Sequence, residues 1–219
     1  MKTQMSDQGD SRVFIVDDDP AVQKGLGRLL RSAGYECENF RSAEAFLARD
    51  PYAGPCCIVL DIRMPESNGL SLQETLSAAG RGEQIVFITG YGDVPTCAKA
   101  MRAGAIDFLP KPFRNEDLLD AVARSLERSE RLIREGTERQ KIQVLVDRLT
   151  PRELEVLALV IAGKLNKQIA AELGNSEKTI KIHRGRIMQK MGVFSVAGLV
   201  RLTDKVGIHP KAGVYRTKV

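Results

Sequence analysis

Val13-Phe14-Ile15-Val16-Asp17-Asp18-Asp19 and Cys56-Cys57-Ile58-Val59-Leu60-Asp61 are the two stretches that decide the fold. Each is a short apolar run that ends on carboxylates. Runs that are apolar at every position fit strands covered on both faces, as in parallel sheets. Residues 35–40, 85–88 and 105–109 are three further strand candidates. Between them lie amphipathic segments at 20–32, 42–49, 69–79, 94–103 and 116–126. Strands alternating with helices of ~10–15 residues predict an α/β, doubly wound, five-stranded parallel sheet.

Ligands of such sheets bind beyond the carboxyl ends of the strands. There the sequence places Asp17-Asp18-Asp19, then Asp61, then Thr89-Gly90, then Lys111-Pro112. Taken singly, an Asp run after a strand is ordinarily a turn or helix cap, and Lys-Pro an ordinary loop. Parallel connectivity brings all of these ends to one edge, and the joint placement overrides the single readings. Asp17, Asp18 and Asp61 would repel one another without a counter-charge. Mg²⁺, a hard cation satisfied by a few carboxylates and waters, is the natural neutraliser. With Lys111 and the Thr89 hydroxyl added, the set suits phosphoryl transfer in which an aspartate is the nucleophile.

The chain of 219 residues, 28% charged and 43% hydrophobic, is long enough for one large domain or two small ones. With no tryptophan and few aromatics, a sugar-binding or aromatic-cage site is not expected. No apolar run approaches the ~20 residues of a membrane span. The first ten residues are polar and lack a signal-peptide core, so a cytoplasmic protein without membrane contact is expected. Cys37, Cys56, Cys57 and Cys97 form no C-x-x-C pair, and with two histidines and no H-E-x-x-H a zinc site is not expected. The thiols read as reduced and buried.

Charge divides the chain. Residues 1–124 carry 14 Lys and Arg against 18 Asp and Glu, residues 125–147 carry 5 against 5, and residues 148–219 carry 14 against 5. An acidic first module and a basic second one suggest different partners.

The connector begins at Asn115-Glu116-Asp117, a helix start with acids in its first turn. Leu118, Leu119, Val122 and Leu126 continue one apolar face, after which mixed charges dominate and Gly136 interrupts. Ile142, Leu145, Val146 and Leu149 then recur at helical spacing. Residues 127–145 read as a charged helical linker, either a solvated helix or a coiled-coil-like dimer contact. Two short stripes fall below the three or four heptads of a convincing coiled coil.

Beyond it, Thr150-Pro151-Arg152-Glu153 is a capping box with proline at the first helical position. It opens a helix with Leu154, Leu157, Val160 and Ile161 on one face, closed by Gly163. Asn166 is expected to cap a short helix over 167–173, ended by Gly174, and Ser176 a longer one over 177–191, ended by Gly192. Ser195 caps a fourth that runs to Gly207. A short helix, a glycine-containing turn and a longer helix make an all-α helix-turn-helix at about 166–185.

The third of these helices sorts its residues by face. Ile180, Ile187 and Met191 form a core stripe, while Lys178, Lys181, Ile182, Gly185 and Gln189 lie on or near the opposite side. A DNA major groove admits one helix whose outward residues meet base edges. Lys178 and Lys181 suit base acceptors or phosphates, Gln189 offers a donor and an acceptor, and Ile182 suits a thymine methyl. Gly185 costs ~1 kcal/mol inside a helix and reads either as room for close approach to DNA or as an ordinary small residue. His183 and Arg184 suit phosphate contact or packing better than base reading.

Val16-Asp17-Asp18-Asp19, Leu60-Asp61-Ile62-Arg63-Met64-Pro65, Gly69-Leu70, Ile88-Thr89-Gly90 and the run from Ala103 to Phe113 resemble the receiver domain of bacterial two-component response regulators, a flavodoxin-like fold. The resemblance covers residues 11–126. It implies that Asp61 accepts a phosphoryl group from a histidine kinase. It also implies that Asp18, Asp61 and the backbone carbonyl of Arg63 hold Mg²⁺, with Asp17 acting mainly through a metal-bound water. Thr89 would bond a phosphoryl oxygen, Lys111 would pair with the phosphoryl group, and Phe108 would be the switch aromatic. Asp19 falls outside the family's acidic pair and reads as a cap for the helix begun at Pro20. Lys111-Pro112 suits a cis peptide.

Residues 146–211 resemble the LuxR-type DNA-binding domain through Leu149-Thr150-Pro151-Arg152-Glu153, Asn166-Lys167-Gln168-Ile169-Ala170 and Lys178-Thr179-Ile180-Lys181-Ile182-His183-Arg184, followed by Met188 and Met191-Gly192. That resemblance adds Thr179 to the DNA-facing set. Receiver plus LuxR-type domain is the NarL/FixJ arrangement, and Thr89-Gly90-Tyr91-Gly92-Asp93-Val94-Pro95 looks FixJ-like. It implies a transcription regulator that dimerises on phosphorylation and binds double-stranded DNA at an inverted repeat. An enzyme reading, an aspartyl-phosphate phosphatase of haloacid-dehalogenase type, meets an obstacle. That family needs a carboxylate two residues after the nucleophile, where Arg63 stands. The residues after Pro210 match no part of either resemblance.

Overall fold

The structure, a computed structural model, describes residues 11–65, 67–90 and 93–209, so the residues after Pro210 lie outside it. It divides into two compact units between Arg134 and Glu135.

The first unit alternates β1 (Arg12–Val16), α1 (Pro20–Ser32), β2 (Glu36–Phe40), α2 (Ala43–Leu47) and β3 (Cys56–Asp61). A short ribbon, β4 (Arg63–Met64) and β5 (Ser67–Asn68), precedes α3 (Gly69–Ala78), β6 (Gln84–Thr89), α4 (Val94–Arg102), β7 (Asp107–Pro110) and α5 (Asn115–Val146). The sheet order is β2-β1-β3-β6-β7, and every pairing within it is parallel. The five-stranded parallel sheet expected from the sequence is therefore present.

Side chains alternate between the two faces of each strand, and each face has its own core. Phe14, Ile58, Leu60 and Phe87 pack with Phe46, Leu72, Leu76 and Ala100 from α2, α3 and α4. Val13, Ile15, Val59, Val86 and Ile88 pack with Leu26 and Leu30 of α1 and Leu118 and Val122 of α5. β3 and β6 are buried at every position, which is why their sequences are almost continuously apolar. Each such side chain contributes about 1.5–3 kcal/mol when removed from water.

Boundaries shift for identifiable reasons. The Tyr35 amide donates to Leu30 O at 3.0 Å, so β2 starts at Glu36. Ala105 N donates to Ala100 O at 3.2 Å, closing α4, and strand pairing begins only at Asp107. Ser42 caps α2 by accepting from Ala45 N at 3.2 Å rather than joining it. The β4–β5 ribbon, pairing Arg63 with Asn68, is too short to have a sequence pattern.

In the second unit the C-terminal part of α5 is followed by α6 (Pro151–Ile161), α7 (Asn166–Leu173), α8 (Glu177–Met191) and α9 (Val196–Lys205). Gly136 does not interrupt α5. One glycine costs ~1 kcal/mol, and its Arg and Glu neighbours are good helix formers. Ile142, Val146 and Leu149 are buried in the core with Val156, Leu157, Ile169, Ile180, Ile187, Met191 and Leu199. The segment 127–145, read as a linker, thus divides: from Glu135 onward it belongs to this unit.

The capping box at Thr150 and Glu153 is formed as expected. The assignment of Asn166 as a cap is corrected. Asn166 is the first helical residue, and Leu165 occupies the cap position, where Gln168 Oε1 accepts its amide at 2.8 Å. The Asn166 side chain is engaged elsewhere, its Oδ1 accepting from Arg184 Nη1 at 2.8 Å. Among the described residues no helix is long and apolar enough to cross a membrane.

Candidate functional site

The strand ends converge as the topology requires. Asp17, the first residue of the acidic loop after β1, is 1% exposed. Its amide donates to Phe40 O at 3.2 Å, and its Oδ1 accepts from the Asp19 amide at 2.9 Å. Asp19 Oδ1 in turn accepts from Ala21 N at 2.7 Å, capping α1 as expected. Ligand oxygens of Asp17, Asp18 and Asp61 all lie within 4.8 Å of one another.

Lys111 reaches this cluster from the far side of β6. Its amide donates to Thr89 O at 2.7 Å, and the Lys111–Pro112 peptide is cis. Its Nζ lies 2.9 Å from Asp17 Oδ2 and 3.5 Å from Asp61 Oδ2. Thr89, 1% exposed, ends β6 beside it. Phe108 is half-buried, its ring 6.5 Å from that of Phe87 at 46°. Tyr91 and Gly92 of the motif after Thr89 lie outside the described residues.

Asp61 is the unbalanced member. Its Oδ1 is buried without a hydrogen-bond partner among the described residues. Burial pushes its carboxyl above the usual range. Lys111 opposes that shift, the Asp17 charge adds to it, and the Arg63 and Ile62 amides oppose it again. A carboxylate with an unengaged oxygen and a cation alongside has the arrangement that nucleophilic chemistry requires. Backbone packing fixes its position: a Cβ on Gly69 would lie 2.4 Å from the Asp61 carbonyl oxygen. Gly69 also donates its amide to Ile62 O at 2.9 Å. The residues fit Mg²⁺, since the donors are all hard oxygens and one of them is buried and unsatisfied.

The second site is a surface rather than a cluster. Lys178, Lys181, Ile182, Gly185 and Gln189 are exposed on α8, and a Cβ on Gly185 would meet nothing within 4 Å. Ile180, Ile187 and Met191 are buried on the opposite face, as the pattern required. The remaining members turn toward structure. Thr179 Oγ1 lies 2.9 Å from Ser176 Oγ, Arg184 holds Asn166, and His183 Nδ1 is buried. Sequence reading missed Arg186. It is exposed and lies 80° around the helix from Lys178 at 100° per residue, flanking the outward stripe opposite Lys181. Its spacing of four from Ile182 was the available signal.

A parallel α/β sheet with an acidic, lysine-faced edge, followed by a helix-turn-helix with a cationic outer stripe, defines a signal-receiving regulator of DNA. Comparison with known proteins agrees. Residues 13–123 match the response regulator receiver domain, and residues 147–203 match the luxR family of bacterial regulatory proteins. The chain is 45% identical over 202 residues to the response regulator protein TmoT of Ectopseudomonas mendocina, covering 92% of this chain and 91% of that one. It is 39% identical over 198 residues to the transcriptional regulatory protein FixJ of Azorhizobium caulinodans, covering 90% and 94%. The solved structure of the response regulator StyR, 48% identical, superposes with a TM-score of 0.79 over 90% of this chain and 100% of that one. The chain belongs to the response regulators that join a receiver domain to a LuxR-type DNA-binding domain, the group that includes FixJ. These relatives are regulators, and they lend the phosphatase alternative no support.

Proposed function

We propose that Asp61 accepts a phosphoryl group from a histidine kinase and that this modification controls DNA binding by the C-terminal unit. The observation that carries it is the Asp61 carboxylate, whose buried Oδ1 has no partner among the described residues while Lys111 stands 3.5 Å from its Oδ2. In the transfer a carboxylate oxygen forms the bond to phosphorus as the nitrogen–phosphorus bond of the kinase histidine breaks, and the imidazole keeps the electron pair. Asp18, Asp61 and the Arg63 carbonyl would hold Mg²⁺, with Asp17 acting through a water, and the bound ion would supply positive charge to the transferring oxygens.

Lys111 then exchanges its contact with Asp61 for a phosphoryl oxygen. The Thr89 hydroxyl donates to another, and the space it leaves admits the Phe108 ring. Two or three charge-assisted bonds supply the few kcal/mol that such a population shift needs. Arg63 offers no acid or base to a water, so the chain acts as a phosphoacceptor, and its only turnover is self-dephosphorylation. On the DNA side, Lys178, Lys181, Ile182, Gly185, Arg186 and Gln189 face the major groove, with Thr179, His183 and Arg184 supporting the helix or meeting phosphates. The modified chain pairs with a second copy on an inverted repeat in the cytoplasm.

Gel-shift affinity measured with and without acetyl phosphate, for wild type and Asp61→Ala, tests the switch. Tighter binding in the treated wild type alone is expected. Equal affinity in all four samples overturns the switch and leaves DNA binding intact. Release of phosphate from small phosphoesters in many turnovers would restore the enzyme reading.

A further inference from the structure

Gln23 is a buried polar residue on the first turn of α1, 7% exposed, on a helix whose other buried residues are Leu26, Gly27 and Leu30. Its side-chain amide donates twice, to Asp17 O at 2.6 Å and to Phe40 O at 2.9 Å. Its own backbone amide donates to Asp19 O at 3.0 Å. One residue therefore grips the acidic loop on both sides of Asp18, at the carbonyls of Asp17 and Asp19. It also ties that loop to the end of β2, where the Phe40 carbonyl already accepts the Asp17 amide.

Both polar backbone atoms of Asp17 are thus held, and so are both oxygens of its carboxylate. Asp18, half-buried, lies between the two gripped carbonyls of Asp17 and Asp19. A hard cation requires its oxygen ligands at defined distances, so a small rotation of the Asp17–Asp18 peptide changes affinity directly. We propose that Gln23 is a positioning residue for the cation site: by holding the Asp17 carbonyl it aims the Asp18 carboxylate at the point where Asp17 and Asp61 converge. This rests on the reading that the three aspartates hold Mg²⁺.

The test is calorimetric titration of the full chain with MgCl₂, comparing wild type, Gln23→Met and Gln73→Met. Methionine keeps the length of glutamine and removes both donors. Gln73, 5% exposed, donates to Ala100 O at 3.1 Å between α3 and α4, and so reports the cost of the same substitution away from the acidic loop. Gln23→Met is expected to weaken Mg²⁺ binding about fivefold, the factor equivalent to one net hydrogen bond, while Gln73→Met leaves it unchanged. The Mg²⁺ concentration for half-maximal phosphorylation by acetyl phosphate should rise by the same factor, with the limiting rate at saturating Mg²⁺ retained. Should Gln23→Met fail to fold, Gln23→Asn carries the measurement, because it keeps the amide but falls a methylene short of both carbonyls. Mg²⁺ affinity in the folded Gln23 variant equal to wild type overturns the proposal and confines Gln23 to stability. Absence of Mg²⁺ binding by wild type overturns the underlying cation reading instead.

Discussion

The two units carry function in opposite ways. In the first, Asp17, Asp61 and Lys111 come from three strand ends and meet at one buried point, with Lys111 94 residues from Asp17. In the second, the residues proposed to meet DNA lie side by side along the exposed face of one helix, α8. A convergent site fails when any member fails, because its members act on one point. A surface stripe degrades by degrees. Phosphoryl chemistry needs the first kind, since nucleophile and counter-charges must coincide. DNA recognition tolerates the second, since its energy is a sum over contacts.

Substitution separates the two kinds most sharply at Asp61. Asp61→Asn should reduce labelling by acetyl phosphate to background while leaving unphosphorylated DNA affinity in place. Retained labelling at another aspartate would break the contrast. Because burial disfavours the Asp61 carboxylate and the Asp17 charge adds to this against the opposing Lys111 charge, the same variant should melt at a higher temperature than wild type.

Salt offers the next largest effect. With Lys178, Lys181 and Arg186 all exposed on α8, about three phosphate contacts give a slope near −2.7 and a loss of about fortyfold in affinity between 50 and 200 mM salt. A flat response in filter binding would remove the DNA assignment.

Glu153 is where the second unit behaves like the first. It is 3% exposed, and Oε2 accepts from Lys190 Nζ at 2.6 Å and from the Thr150 amide at 2.9 Å. Burial raises its carboxyl, but the Lys190 and Thr150 contacts prevail and hold it below the usual glutamate value of 4.5. Stability from this group is therefore present above the unfolded-state value and lost as pH falls through the lower folded-state value. Glu153→Gln should cost roughly 2 kcal/mol at pH 7 and flatten the acid limb of the melting curve below pH 4.5. An unchanged acid limb would show the pair to be idle.

Single changes along α8 should be gentler. Lys178→Ala or Arg186→Ala is expected to weaken binding about tenfold. Lys178→Ala relaxes base preference if it meets a base edge, and Arg186→Ala lowers the salt slope by about one if it meets a phosphate. Ile182→Ala should cost about threefold to fivefold, within the value of a lost apolar contact to one thymine methyl. Replacing operator thymines with deoxyuridine one at a time should identify a position where that cost vanishes.

The same difference governs what could be read without coordinates. Strand ends were legible because a parallel sheet converts chain order into spatial convergence, so Asp17, Asp61, Thr89 and Lys111 needed only the alternation of elements. The outer stripe of α8 was legible through helical period alone. What escaped depended on remote partners. Asn166 has the residue type of a cap, but its side chain is held by Arg184, 18 residues away. The role of Lys190 required knowing that Glu153 lies beneath it, 37 residues earlier. The helical stretch through Gly136 carried no apolar period, only charge. Gln23 resembled any polar surface residue, since a buried amide and a solvated one share the same letter.

The Lys190 contact has one more implication. Its ammonium also reaches Arg148 O at 3.0 Å, so the far end of α8 is bolted to the chain ahead of α6 as well as to its first turn. A reading head fastened at its rear is already stiff when it arrives at DNA, and little of its ordering entropy is left to lose on contact. On the proposed function, control of such a tool would act on its access to the groove rather than on the shape of its edge.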